Sequence, residues 1–258
     1  MRQLAAAQQD SGREGQTTGT IQGVVFDVIG TLARFVPEQE ALLSQAAAIH
    51  GLLLPPTAAR RGLAAGGAWW QQQMALGPLE RRSETERHDL YQGFDAAVMT
   101  AAGFDLEPRV TSAIFATLLE LGNSSHLEVY DDVAPALEAL KAAGYPLGVI
   151  SNMDATLQVT LESLDLAGYF GLVLSSQEAG FAKPDPRIFL LAAERMGIAA
   201  AALAYVGDQP EIDVRGALSA GLQPVLVDRE QAFPETQDCW RIATLTELPH
   251  LLRAARNA

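Results

Sequence analysis

The apolar positions of this chain change period twice along its length. Val24-Val25-Phe26 run without a polar break into Asp27, and the turn residues Gly30-Thr31 follow. A short apolar run bounded by turn chemistry predicts a strand buried on both faces. From about Pro37 to His126 the spacing becomes helical, in a stretch rich in Ala, Leu, Gln and Arg. It predicts helices over 38–54, from Thr57 as cap towards Trp70 and Met74, over 84–102 and over 108–121, with no strand between them. Beyond Leu127 short apolar runs alternate with helical patterns. Helices are expected over 133–143, capped by Asp131-Asp132 and stopped by Gly144, and from the Asp154 cap to Leu164. Others are expected over 186–196, over 212–220, and near 245–252. Strands are expected over 145–150, 172–174, 202–206 and 224–227, with a last short one at Ile242. This alternation predicts right-handed crossovers and a parallel sheet, an α/β fold with a helical insertion after its first strand.

Composition narrows the partners. The chain has 258 residues, 48% of them hydrophobic and 19% charged, with a net charge of −13. That suits one sizeable core or a core plus a smaller unit. No basic block interrupts the acidity, which argues against nucleic acid or an anionic membrane surface as partner and leaves a small-molecule substrate. The single cysteine, Cys239, excludes an internal disulfide framework and a multi-cysteine metal site, and points to a reducing cytoplasm. The four histidines are scattered without ligand spacing. No apolar run is long enough to span a bilayer. The polar first residues, 1–20, have little to bury and are expected to form a mobile tail.

Polar residues stand at several predicted strand ends. Asp27 closes the first strand, Ser151-Asn152 close the second, and Gly207-Asp208 close a later one, with Asp213 five residues on. In a parallel sheet these share one edge, where ligands bind. Converging carboxylates repel one another, and a hard divalent cation such as Mg²⁺ resolves that repulsion. Lys183 lies in a Pro-rich turn, Lys183-Pro184-Asp185-Pro186, and is one of two lysines against sixteen arginines. A lysine there suggests a need for a compact point charge. Taken singly, each residue also has a plain structural use as turn, cap or solvated side chain; the ordered set is harder to obtain by chance.

As an ordered set over roughly 23–229, these motifs resemble those of the haloacid dehalogenase-like (HAD) hydrolase superfamily. Phe26-Asp27-Val28-Ile29-Gly30-Thr31-Leu32 looks like its nucleophile motif, and Val149-Ile150-Ser151-Asn152 like its second. Lys183 looks like the lysine of its third, and Gly207 to Asp213 like the acidic fourth. The resemblance implies a Rossmann-like core over 21–36 and 127–258, with a helical cap domain over 37–126. It implies Asp27 as nucleophile and Lys183 as its catalytic partner. Thr31, Ser151, Asn152 and Lys183 would bind substrate. Mg²⁺ would be held by Asp27, the backbone carbonyl of Ile29, Asp208 and Asp213. The chain departs from the family's phosphatases at Ile29, where they carry a second Asp that protonates the leaving group. A general acid contributes about two to four powers of ten in rate. The expected activity is Mg²⁺-dependent hydrolysis of a small organic phosphate. The alternatives are a 2-haloacid dehalogenase, which also lacks the second Asp, and a catalytically weakened binding protein on the same fold. Trp69-Trp70 could select substrate or simply pack the cap, and Arg60 or Arg61 could hold a substrate carboxylate or lie on a solvated helix face.

Overall fold

The computed structural model describes residues 20–77 and 82–256. The expected tail therefore lies outside the described residues, apart from the exposed Thr20. Six parallel strands form the main sheet: β1 (Gly23–Phe26), β4 (Leu147–Ser151), β5 (Leu172–Ser175), β6 (Leu203–Gly207), β7 (Gln223–Val227) and β8 (Trp240–Ile242). Their order is β5-β4-β1-β6-β7-β8. Every residue of β1, β4 and β6 is buried. The apolar runs read from the sequence are thus central strands, covered on both faces. Val24 and Phe26 point into one hydrophobic layer with Leu137, Val149 and Val206. Val25 points into the opposite layer with Ile150, Phe189 and Tyr205. That split follows from the two-residue period of a strand. β1 is hydrogen-bonded to β4 on one side and β6 on the other. The chain order reverses there, so the carboxyl ends of these three strands frame a crevice.

Two strands escaped the sequence pattern. β2 (Ala33–Val36) and β3 (His126–Val129) pair antiparallel outside the main sheet. Between them run α1 (Gln39–Ile49), α2 (Pro56–Ala75), α3 (Glu84–Ala101) and α4 (Pro108–Gly122), as the helical spacing predicts. These helices bury a cluster of their own that includes Leu43, Val98, Met99, Ile114 and Phe115. β2 and β3 are the two stems by which this insertion joins the core. The core helices are α5 (Val133–Ala142), α6 (Leu157–Ser163), the single turn α7 (Ser176–Ala179), α8 (Pro186–Met196), α9 (Arg215–Ser219) and α10 (Leu248–Arg256).

Two expected caps are corrected, and a third, Asp132, holds its N-cap position without a side-chain cap bond. Thr57 is not the cap of α2: Pro55 holds that position, and Pro56 begins the helix. Proline suits the first turn because its missing N–H would be unpaired there anyway. Asp132 precedes α5 but makes no side-chain cap bond. Its carboxylate instead pairs with Arg229 at 2.6 Å and accepts from the Leu245 N–H at 2.7 Å. A charged partner outcompetes the local amides for it. Asp154 accepts from Thr156 N and Oγ1, and α6 begins only at Leu157. Among the described residues, no helix is long and apolar enough to cross a membrane.

Candidate active site

The end of β1 turns sharply. The Val28 carbonyl accepts from the amides of Thr31, Leu32 and Ala33, and Gly30 N–H donates to Ala33 O at 2.7 Å. Gly30 sits at φ +88°, and a Cβ there would collide with the Asp208 carboxylate. Only glycine lets the β1 loop approach Asp208 this closely. Gly207 serves the same end, since a Cβ on it would strike the Asp213 side chain. Asp213 lies in a single π-helical turn, Pro210–Val214, and its Oδ2 accepts from Gln209 N at 3.0 Å.

These turns gather Asp27, Asp208 and Asp213, all buried, with one oxygen from each within 4.8 Å of the others. Lys183 enters the cluster from the turn before α8. Its Nζ donates to Asp27 Oδ1 at 2.7 Å, to Asp213 Oδ1 at 2.7 Å and to the Tyr205 hydroxyl at 2.8 Å. The Tyr205 hydroxyl in turn donates to Asp213 Oδ1 at 3.2 Å. Asn152 holds the lysine's backbone from both sides, donating to Lys183 O at 2.9 Å and accepting from Lys183 N at 2.8 Å. Its amide is therefore occupied in positioning Lys183, although it also lines the cavity above. Ser151 is buried at the end of β4 and lines that cavity with Asp27 and Lys183. Thr31 is fully buried and reaches Asp208 Oδ1 at 3.5 Å, the long limit of a hydrogen bond; among the residues lining that cavity it does not figure.

Charge is in excess on the negative side. Burial pushes Asp27 up to about 6 against the pull of Lys183. Burial, with Asp213 and Asp27, pushes Asp208 up to about 8, although Arg60 pulls it down. Burial opposes the charge on Lys183, but Asp213 and Asp27 override it and hold the ammonium above its ordinary value. Three clustered carboxyl groups and a close backbone turn make a hard oxygen donor set, which fits Mg²⁺.

Two residues do more here than their sequence context suggests. Arg60, on α2, is not on a solvated face. It is 6% exposed and donates to Asp208 at 3.3 Å and to Glu40 at 3.0 Å. It ties the helical insertion to the acidic cluster. Tyr205 sits in a strand that reads as plain apolar core, yet its hydroxyl belongs to the Lys183 network. Arg229 supports the β1 loop from behind, donating to Thr31 O at 3.0 Å and pairing with Asp132. Ile29 presents a half-buried apolar side chain to the cavity where the resemblance leads one to look for a carboxyl. Trp70 lines the same cavity, whereas Trp69 packs over Gly93 and lines a separate depression.

A family model described as haloacid dehalogenase-like hydrolase matches residues 21–221. The chain belongs to the haloacid dehalogenase-like hydrolases. Within that family it is 33% identical over 170 residues to a ribulose-1,5-bisphosphate 5-phosphatase of Halopiger xanaduensis, covering 63% of this chain and 68% of that one. It is 35% identical over 128 residues to a glyceraldehyde 3-phosphate phosphatase of Methanopyrus kandleri, covering 49% of this chain. The match spans about half of that relative, 54% of its length. Among solved structures, an L-2-haloacid dehalogenase superposes with a TM-score of 0.60 at 21% identity, over 91% of this chain and all of that one. At that identity the likeness establishes the shared HAD fold alone.

Proposed function

We propose that this HAD hydrolase is a Mg²⁺-dependent phosphatase that removes phosphate from a small organic ester through a covalent intermediate on Asp27. The observation that carries the reading is the buried cluster of Asp27, Asp208 and Asp213 built around Lys183. Asp27 lies at the floor of the cavity, and its bond to Lys183 fixes the rotation of its carboxylate. In the proposed reaction an Asp27 oxygen attacks phosphorus, the ester P–O bond breaks, and the leaving oxygen departs with the electron pair as an alkoxide or aryloxide that takes its proton from water. Water then attacks phosphorus, the Asp27 carboxylate is regenerated, and inorganic phosphate departs. The Ser151 hydroxyl and the Lys183 ammonium would bind phosphoryl oxygens. Asp27, Asp208, Asp213 and the Ile29 carbonyl would hold Mg²⁺. When bound, it supplies positive charge against the carboxylates and the phosphoryl oxygens. The four helices of the insertion act in this reading as a cap over the crevice.

Ile29 sets a limit on this chemistry. It offers no proton to the departing alcohol, so leaving groups that depart as anions should react best. The absent carboxyl also recommends the dehalogenase alternative. Against that alternative, the buried carboxylates of Asp27, Asp208 and Asp213 converge on a cation site that a metal-free displacement at carbon would not use. Phosphate esters, acyl phosphates and 2-haloacids should be assayed with and without Mg²⁺, scoring phosphate and halide. The reading expects Mg²⁺-dependent phosphate release that Asp27→Asn abolishes. Halide release without metal would overturn it.

A further inference from the structure

Above the acidic cluster lies a cavity of about 830 Å³ between the core and the helical insertion. That is within the ~300–1,000 Å³ of sites that take drug-sized ligands. Its walls are apolar and largely aromatic: Trp70, Tyr91, Phe94 and Phe115 from the helices, Met153 and Ile212 from the core. Trp70 stacks on Tyr91 with centroids 5.6 Å apart and meets Phe94 edge-on at 6.0 Å. Phe94 meets Phe115 edge-on at 6.0 Å, so the four rings form one continuous surface. Tyr91 is 50% exposed and Leu119 72% exposed, and the two form an apolar rim.

Asp95 is set in this wall and is not a member of the acidic cluster. Among the described residues no cation offsets its desolvation, and burial pushes its carboxyl up to about 6. Among the described residues, Lys183 is the one cationic side chain lining the cavity, and it sits within the acidic cluster, where the proposed reaction places the transferred phosphoryl group rather than the organic part. A substrate whose organic part bears a carboxylate or a second phosphate would find no counter-charge here and would face Asp95. A cation would find both a carboxylate and aromatic faces, which attract it through their quadrupoles.

We infer that the cavity selects an organic group that is apolar, ring-sized and positively charged at its far end, with Asp95 as the specificity-determining residue. Resting on the phosphatase reading, this makes the substrate class a phosphate monoester of an amine-bearing ring alcohol. The class also suits Ile29, because an aryl oxide departs without help from an acid more readily than an alkoxide does.

The test uses two phenols of matched size and similar acidity, tyramine and 3-(4-hydroxyphenyl)propanoate, and their phosphate esters. Calorimetry on the full chain with Mg²⁺ should find tyramine bound about tenfold more tightly, the size expected of one charge contact in a half-buried aromatic site. Asp95→Asn should narrow that ratio to about threefold or less, and Asp95→Lys should reverse it. Equal or tighter binding of the propanoate by wild type would overturn the inference, whether or not the variants fold. Phosphate release then separates the two readings. A tyramine preference in binding with no release from either ester would support the cavity assignment and overturn the phosphatase reading. Release from both esters at equal rates, with no binding preference, would do the reverse.

Discussion

Lys183→Met removes the ammonium from the buried cluster while keeping most of the side chain's length. Lys183 is 2% exposed, and its two carboxylate partners, Asp27 and Asp213, are both buried. Removing one member of a buried ion pair costs about 3–5 kcal/mol, because the other charge is left uncompensated. Here two carboxylates are orphaned and the Tyr205 hydroxyl loses a donor, so the upper half of that range applies at pH 8. Asp27, already raised to about 6 by burial, can relieve the loss by taking up a proton. Without the pull of Lys183 its folded-state affinity for protons rises further, while the unfolded value stays near 4. The penalty is therefore full above the raised pKa and shrinks as pH falls. Urea unfolding in EDTA, followed by circular dichroism, should show a deficit of about 4–5 kcal/mol at pH 8 and distinctly less at pH 5. Adding Asp213→Asn to the Lys183→Met background should recover about 1–2 kcal/mol, as neutralising one of two crowded carboxylates requires. A deficit under about 1 kcal/mol, unchanged between the two pH values, would mean that Lys183 is a solvated turn residue and that the cluster is not coupled as drawn.

Three further outcomes follow from the same geometry. Ile29→Asp should raise hydrolysis of alkyl phosphates by about ten- to a hundredfold and of aryl phosphates far less, short of a well-placed acid because the surrounding shell was not built for a carboxyl; equal gains in a correctly folded variant would show that Ile29 does not mark a missing acid. Arg60→Gln removes a cation bonded to Asp208, so Mg²⁺ affinity by calorimetry should rise about three- to tenfold, and a fall would show that the guanidinium supports the metal site. Burial raises Asp95 to about 6 in the fold, so the ionised form is penalised above pH 6 and the penalty fades towards pH 4. Asp95→Asn should therefore stabilise the protein by about 1 kcal/mol at pH 8, after allowing for solvent screening, and by nothing at pH 4; thermal melts showing no gain at pH 8 would contradict the isolation of that carboxyl.

Much of the fold was legible because its signals are local. β1, β4 and β6 announce themselves as continuous apolar runs, and the helices between Gln39 and Gly122 as 3.6-residue spacing. β2 and β3 did not, since each is four residues of mixed polarity and its partner lies some ninety positions away. The strand-end residues Asp27, Ser151 and Asp208 could be placed on one edge from topology alone. Arg60 could not, because nothing in Arg60-Arg61 distinguishes a solvated arginine from one that reaches Asp208 across the insertion. Tyr205 was hidden in the same way, its hydroxyl made functional only by the arrival of Lys183 from another turn. Asp132 misled because a cap position is a local signal and its actual partner, Arg229, is distant in sequence.

The central claim is that Asp27 attacks phosphorus and is released by water attacking phosphorus. Rapid-quench peptide mass spectrometry, with 4-nitrophenyl phosphate and Mg²⁺ in ¹⁸O-labelled water, tests both halves at once. The account predicts a transient Asp27 peptide heavier by one PO₃ group, which returns to its original mass with no ¹⁸O in its carboxyl, the label appearing in phosphate. No adduct on Asp27, or ¹⁸O retained in the Asp27 carboxyl after turnover, would contradict it.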